Sequence, residues 1–205
     1  MSRREHWERV YETKDAASVS WFTPHVERSL AALRTFAPRG GALIDVGGGA
    51  STLVDDLLAL GGWTVSVLDL SGAALAVARG RLGERERDVT WLVGDVTKVA
   101  LPAATFDVWH DRAVLHFLTE AADREAYARQ AAHAVKIGGH AVTSTFAPDG
   151  PLRCSGLDVV RYDAAAVARL LGNGFALRDE WREVHRTPSG SEQAFMGCVL
   201  ERVEA

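Results

Sequence analysis

The turn Leu43-Ile44-Asp45-Val46-Gly47-Gly48-Gly49-Ala50-Ser51 constrains the fold of this chain more than any other stretch. Before it, Ala42 to Val46 is a short apolar run that reads as a buried strand. After it, Thr52 to Leu60 reads as a helix stopped by Gly61-Gly62. Glycine between them lets the backbone turn tightly and lets a ligand approach it closely. The helix start then offers free N–H groups to an anion.

The same alternation continues downstream. Trp63 to Leu68 reads as a strand, Ser71 to Leu82 as an Ala-rich helix capped by Ser71, and Val89 to Val93 and Phe106 to His110 as two further strands. A helix over Thr119 to Val135 and a fifth strand over His140 to Phe146 follow, with Gly138 between them. Asp163 caps a helix through Leu171. Phe175 to His185 and Gln193 to Val203 read as two strands joined by the hairpin turn at 186–192. Five strands alternating with helices, or with a loop between the third and fourth, predict a mostly parallel sheet covered on both faces. The last two strands are joined too closely for a crossover, so one runs antiparallel at a sheet edge.

Ahead of the sheet, residues 3–13 look helical, with Trp7 and Tyr11 on one face. Thr23-Pro24 is expected to open a second helix, Thr as N-cap and Pro at the first helical position. The mixed-charge run Gly83 to Asp88 reads as a solvated loop.

A chain of 205 residues predicts one domain over 1–205, with residues 1–38 as a helical segment within it. A hydrophobic content of 47% excludes a disordered chain. No apolar stretch approaches the roughly 20 residues that span a bilayer, so no membrane partner is expected. The charged N-terminus lacks an apolar core, so no secretory signal is expected and the cytoplasm is the default. A net charge of −4 argues against nucleic acid as a partner. Cys154 and Cys198 form no CxxC pair, and Cys154 has no clustered Cys or His, so neither a disulfide scaffold nor a metal site is read.

The glycine turn lacks the Gly-Lys-Ser/Thr ending of a P-loop. It also fails the dinucleotide fingerprint, because the last glycine position, counted from Gly47, is Thr52. What remains is acidic-x-Gly-x-Gly-x-Ser, and a plain strand–helix turn would read the same. Two acids at the next strand ends give independent support: Asp69, 20 residues after Gly49, and Asp95. Ligands of such sheets sit at the carboxyl ends of the strands, where Gly47, Asp69 and Asp95 fall.

This set resembles class I S-adenosylmethionine-dependent methyltransferases. Asp45 to Ser51 is similar to their first motif, Asp/Glu-x-Gly-x-Gly-x-Gly, with Ser51 in place of the last glycine. Phe106 to Leu118 is similar to their fourth motif. The resemblance implies a seven-stranded sheet of order 3-2-1-4-5-7-6 with strand seven antiparallel. It implies S-adenosylmethionine as cofactor, contacted by Asp45, Gly47, Gly49 and Ser51, with Asp69 on the ribose hydroxyls, Asp95 on the adenine amino group, and Leu70 and Val96 beside it. Trp21 and Phe22 would lie in an N-terminal lid, Trp21 against the cofactor and Phe22 against the acceptor. Trp7 is read as docking the first helix.

His110-Asp111-Arg112 is expected just past strand four, beside the methyl group. His110 is a candidate base and cofactor contact, Asp111 a candidate orienting group, and Arg112 a candidate anion binder; an internal Asp–Arg pair is the alternative. His116 is read as a packed histidine. The Pro/Gly-rich stretch from Phe146 to Tyr162 is expected to be a structureless acceptor-binding loop, with Arg153 and Arg161 as substrate contacts or surface charges. Trp109 to Arg112 has a weaker likeness to the thiopurine and thiol methyltransferase branch. The expected function is methyl transfer to a small molecule. A protein lysine methyltransferase and a non-catalytic nucleotide-binding module are the alternatives. Oligomeric state is left open.

Overall fold

The computed structural model describes residues 2–204, so Met1 and Ala205, the ends of the expected domain, lie outside the described residues. Six helices form: α1 (Arg3–Thr13), α2 (Glu27–Phe36), α3 (Leu53–Leu60), α4 (Gly72–Leu82), α5 (Ala121–Ala134) and α6 (Ala164–Leu171). The strands are β1 (Gly41–Val46), β2 (Trp63–Asp69), β3 (Val89–Val93), β4 (Phe106–Arg112), β5 (Val135–Phe146), the short β6 (Arg153–Cys154) and β7 (Leu157–Asp158), β8 (Phe175–Arg186) and β9 (Glu192–Arg202).

Seven strands make one sheet of order β3-β2-β1-β4-β5-β9-β8. The first five are parallel, and β9 runs antiparallel to both β5 and β8. Counting only these seven, the order is 3-2-1-4-5-7-6 with the seventh strand antiparallel, as expected. The pleat sends alternate residues to opposite faces. Leu43, Val65 and Val108 meet α2, α3 and α4 through Leu30, Leu57 and Leu75. Ile44, Leu68 and Trp109 join the other core, with Tyr127 of α5 and Val167 of α6. A sheet buried on both faces explains the near-continuous apolar runs of its central strands.

Four local expectations are corrected. Thr23 does not cap α2: its Oγ1 donates to the His25 carbonyl at 2.8 Å, and the helix starts only at Glu27. The buried Val26 accepts from the Leu30 N–H at 2.9 Å and sets that start. β5 begins at Val135, directly after α5, rather than at His140; a register shift between Phe106 and Val108 absorbs the added residues. The stretch from Phe146 to Tyr162 is not structureless, since β6 and β7 pair within it, Arg153 opposite Asp158 and Cys154 opposite Leu157. Gly83–Asp88 forms a 3-10 turn rather than an open loop.

The N-terminal helix is fastened to the carboxyl edge of the sheet by a cap in trans. The Glu8 carboxylate accepts from the Gly72 N–H at 2.9 Å, the Ala73 N–H at 3.0 Å and the Ser71 hydroxyl at 3.0 Å. These are the first, otherwise unsatisfied donors of α4, and a carboxylate there also suits the helix dipole. Arg3 adds an ion pair to Asp123 at 2.6 Å, at the start of α5. Glu8→Ala is expected to lower stability by about 1–2 kcal/mol, the range of a lost N-terminal cap. Hydrogen exchange should then quicken across 3–13 while the amides of β1, β2 and β4 keep their protection.

Candidate functional site

A cavity opens at the carboxyl ends of β1, β2, β3 and β4, under α1. One end is walled by Leu68, Asp69 and Leu70 from the end of β2 and by Gly94, Asp95 and Val96 after β3. The other end is walled by Arg112, Ala113, His116 and Phe117 after β4, with Cys154, Gln193 and Phe195. Trp7, Tyr11 and Trp21 roof it. A smaller cavity adjoins it beside Gly47, Gly48, Ala50 and Ser51, and the two share Tyr11, Trp21, Gly47 and Arg112.

The glycine turn makes this space. Gly47 has φ +69° and donates its N–H to the Leu68 carbonyl at 2.6 Å, tying the end of β1 to β2. A Cβ on Gly47 would overlap Val114, and one on Gly49 would stand 2.6 Å from Asp69 Oδ2. The backbone therefore passes where no side chain fits, and the carboxylate of Asp69 lies against it. Ser51 Oγ accepts from the Leu53 N–H at 3.2 Å at the helix start, and its residue borders the smaller cavity.

The three acids differ. Asp69 accepts from the Ser71 N–H at 2.8 Å. Burial pushes its carboxyl up to about 7, against that hydrogen bond and helped by the nearby charges of Asp45 and Glu8. Burial also acts on Asp95, but the Thr97 hydroxyl at 2.7 Å and N–H at 2.9 Å outweigh it and hold the carboxyl below its usual range. Asp45 is buried; its Oδ1 lies 2.7 Å from His110 Nδ1, and its Oδ2 has no partner among the described residues.

β4 runs to Arg112, two residues further than expected, and the pleat then separates its end residues. His110 faces α2, 2% exposed, with Nδ1 on Asp45 and Nε2 2.8 Å from Ser29 Oγ. Asp111 faces α5, fully buried, and accepts from the Tyr127 hydroxyl at 2.7 Å and the Val114 and Leu115 N–H groups at 2.8 and 3.1 Å. Burial pushes its carboxyl up to about 6 in spite of these donors. His110 borders the smaller cavity with both ring nitrogens engaged, and Asp111 lines neither cavity. The pleat thus separates the two: His110 joins β1 to α2 at the smaller cavity, and Asp111 stiffens the turn after β4. The alternative, an Asp111–Arg112 ion pair, does not form among the described residues either.

Arg112 does reach the cavity. Its Nη1 donates to the Trp21 carbonyl at 2.9 Å, and its guanidinium lies over the Phe195 ring, 5.1 Å from the centroid. Trp21 also reaches it and donates to the Tyr11 hydroxyl at 3.1 Å. Phe22 borders only the smaller cavity. Arg153 and Arg161 line neither cavity: they are exposed, Arg153 within the β6–β7 ribbon and Arg161 after it, and bond the Gly156 and Gly150 carbonyls. His116, read as a packed histidine, is buried but lines the cavity. Trp7 docks the helix and roofs the cavity at once, edge-on to Trp21 and Phe117 at 5.4 and 5.0 Å. Phe117, Gln193 and Phe195 carried no signal in the sequence, since an aromatic in an apolar run reads only as core. Among the described residues, no three His, Cys, Asp or Glu gather as metal ligands, and no helix is long and apolar enough to cross a membrane.

Residues 43–139 match the family model of a methyltransferase domain. That span carries the glycine turn, Asp69, Asp95 and β4. That match covers a little under half of the chain; with the strand order it likens the chain to class I S-adenosylmethionine-dependent methyltransferases, for which S-adenosylmethionine would be the cofactor. The site fits that group: a cradle closed to any Cβ, a carboxylate beside it, and an unpartnered buried Asp45 oxygen for a cationic ligand. The mouse eEF1A lysine and N-terminal methyltransferase is 24% identical over 111 residues, a match covering 54% of this chain but 16% of that protein. The structure solved for conversion of a disulfide bond into a thioacetal group during echinomycin biosynthesis superposes with a TM-score of 0.79 at 20% identity, over 98% of this chain and 93% of its own. The Burkholderia thailandensis 1,6-didemethyltoxoflavin-N1-methyltransferase, with 1,6-didemethyltoxoflavin and S-adenosylhomocysteine bound, gives 0.73 at 20% identity, over 98% and 87%. At such identities the likeness to solved structures carries the fold alone.

Two outcomes follow from this geometry. A carboxyl raised in the fold keeps a proton that the unfolded chain has released, so its burial removes stability as pH rises from about 4 to about 7. Asp69→Asn should raise the melting temperature at pH 8 and leave it nearly unchanged at pH 4, while weakening S-adenosylhomocysteine binding at least about tenfold by calorimetry. His110→Ala should lower unfolding free energy in urea by about 1–3 kcal/mol, leaving Asp45 and Ser29 without their bridge. The shape of the pH–rate profile should survive in that variant; its loss would make His110 a base after all.

Proposed function

We propose that the chain transfers the methyl group of S-adenosylmethionine to a small-molecule acceptor held in the larger cavity beneath α1. The observation that carries this reading is the aromatic roof: Trp7, Tyr11 and Trp21 cover the carboxyl edge of the sheet, and Phe117 and Phe195 line the space below. Such a chamber takes a compact, largely apolar ligand.

In this reading Asp69 holds the ribose hydroxyls, Asp95, Val96 and Leu70 the adenine, and Asp45, Gly47, Gly49 and Ser51 the amino-acid end. The cofactor supplies a methyl group already activated by its positively charged sulfur. The chain's part is to align the acceptor and exclude water, which the segment before β1, within residues 1–38, does as a lid. The acceptor end offers no base near neutral pH. Burial, with Arg112 nearby, holds His116 down at about 3, and burial pushes the Cys154 thiol up to about 11. The acceptor atom is therefore one that is nucleophilic without help, such as an amine, a ring nitrogen or a thiolate. Two buried free thiols suit a reducing cytoplasm.

A lysine side chain is the second reading, favoured by the partial likeness to the mouse eEF1A methyltransferase. Methyl-labelled S-adenosylmethionine added with the protein to a cell extract separates the two. Label is expected in the small-molecule fraction, and label confined to protein would overturn the proposal.

A further inference from the structure

Arg112 is a cation without an ion-pair partner among the described residues. Among the described residues no carboxylate lies within 4 Å of it, and its single protein hydrogen bond goes to the Trp21 carbonyl. The Glu183 carboxylate, beyond ion-pair distance, is the nearest-acting anion, and Cys154, His116 and His185 also face it. The thiol and the two imidazoles are held neutral by burial, so they supply no anion. Its other donors therefore have no protein acceptor in a chamber walled by aromatic rings. An enclosed guanidinium left in that state is costly, and its planar fork matches a planar oxyanion.

Arg112 borders both cavities, and its guanidinium is turned toward the larger one. The guanidinium lies over Phe195, which lines the larger cavity and not the smaller one beside Ala50 and Ser51. His116 adds a donor on the same wall. Its Nδ1 accepts from the Phe146 N–H at 3.3 Å, so Nε2 carries the hydrogen, and Nε2 is buried with no partner. Trp7, Trp21, Phe117 and Phe195 offer ring faces and edges to a flat ligand.

Building on the small-molecule reading, we propose that the acceptor is a small aromatic or heteroaromatic compound carrying a carboxylate or an equivalent planar oxyanion, held by Arg112 with His116 beside it. Arg112 here is a specificity determinant for the acceptor.

The test uses the full chain saturated with S-adenosylhomocysteine. Benzoate, 2-naphthoate and quinoline-2-carboxylate are each titrated by calorimetry against the matching carboxamide. At least one carboxylate should bind about tenfold or more tighter than its amide. Arg112→Met should erase that preference, and Arg112→Lys, which keeps the charge without the fork, should retain part of it. Both variants should bind S-adenosylhomocysteine within about twofold of the native chain. Equal binding of acids and amides would overturn the anion proposal and leave the small-molecule reading standing. A large loss of S-adenosylhomocysteine affinity in Arg112→Lys with the acid preference intact would assign Arg112 to the cofactor and overturn it too. Failure of every aromatic to bind, together with label transferred only to protein, would overturn both readings.

Discussion

The cavity depends on a backbone passing between Leu68 and Val114 at a point where no side chain fits. Gly47 is left-handed there, its N–H is spent on the Leu68 carbonyl, and a Cβ would strike Val114. Because β1 is central, with β2 on one side and β4 on the other, the turn after it is the meeting point of the strand ends. Asp69 can approach Gly49 for the same reason. The strain of a tight turn and the room for a ligand are thus one property of this short segment.

The second constraint is the pleat of β4. Side chains on a strand alternate, so His110 and Asp111 cannot both reach the same space. Each is absorbed into a buried network on its own face, His110 between Asp45 and Ser29, Asp111 under Tyr127. Arg112, at the strand's end, is the one of the three that enters the larger cavity. In the proposed reading the chemistry of the site is accordingly one of shape, aromatic enclosure and the Arg112 cation.

The segment before β1 is held by polar contacts as well as by apolar ones. Glu8 caps α4, the His185 ring bonds the Ser20 carbonyl at 2.8 Å, and Arg112 bonds the next carbonyl. Trp7 and Trp21 then meet edge to face over the space.

Local features were legible before any fold was known. The strand runs, the glycine turn, the Ser71 and Asp163 caps and the parallel core follow from periodicity and turn chemistry, which act over a few residues. The acids at the ends of β2 and β3 were legible for the same reason: a residue after a buried strand has only one edge to stand on. The start of α2, the ribbon of β6 and β7 and the outward course of Arg153 and Arg161 were not, because each is set by partners distant in the chain. Glu8 as a cap lies 64 residues from Gly72, and Phe195 joins the cavity from the far end of the sequence. The sequence by itself determined a parallel α/β sheet with acids and glycines gathered at its carboxyl edge. Tertiary structure alone decided which side chains share the cavity, because a contact across the fold depends on the pleat and on the docking of helices, and neither is written in the spacing of neighbours.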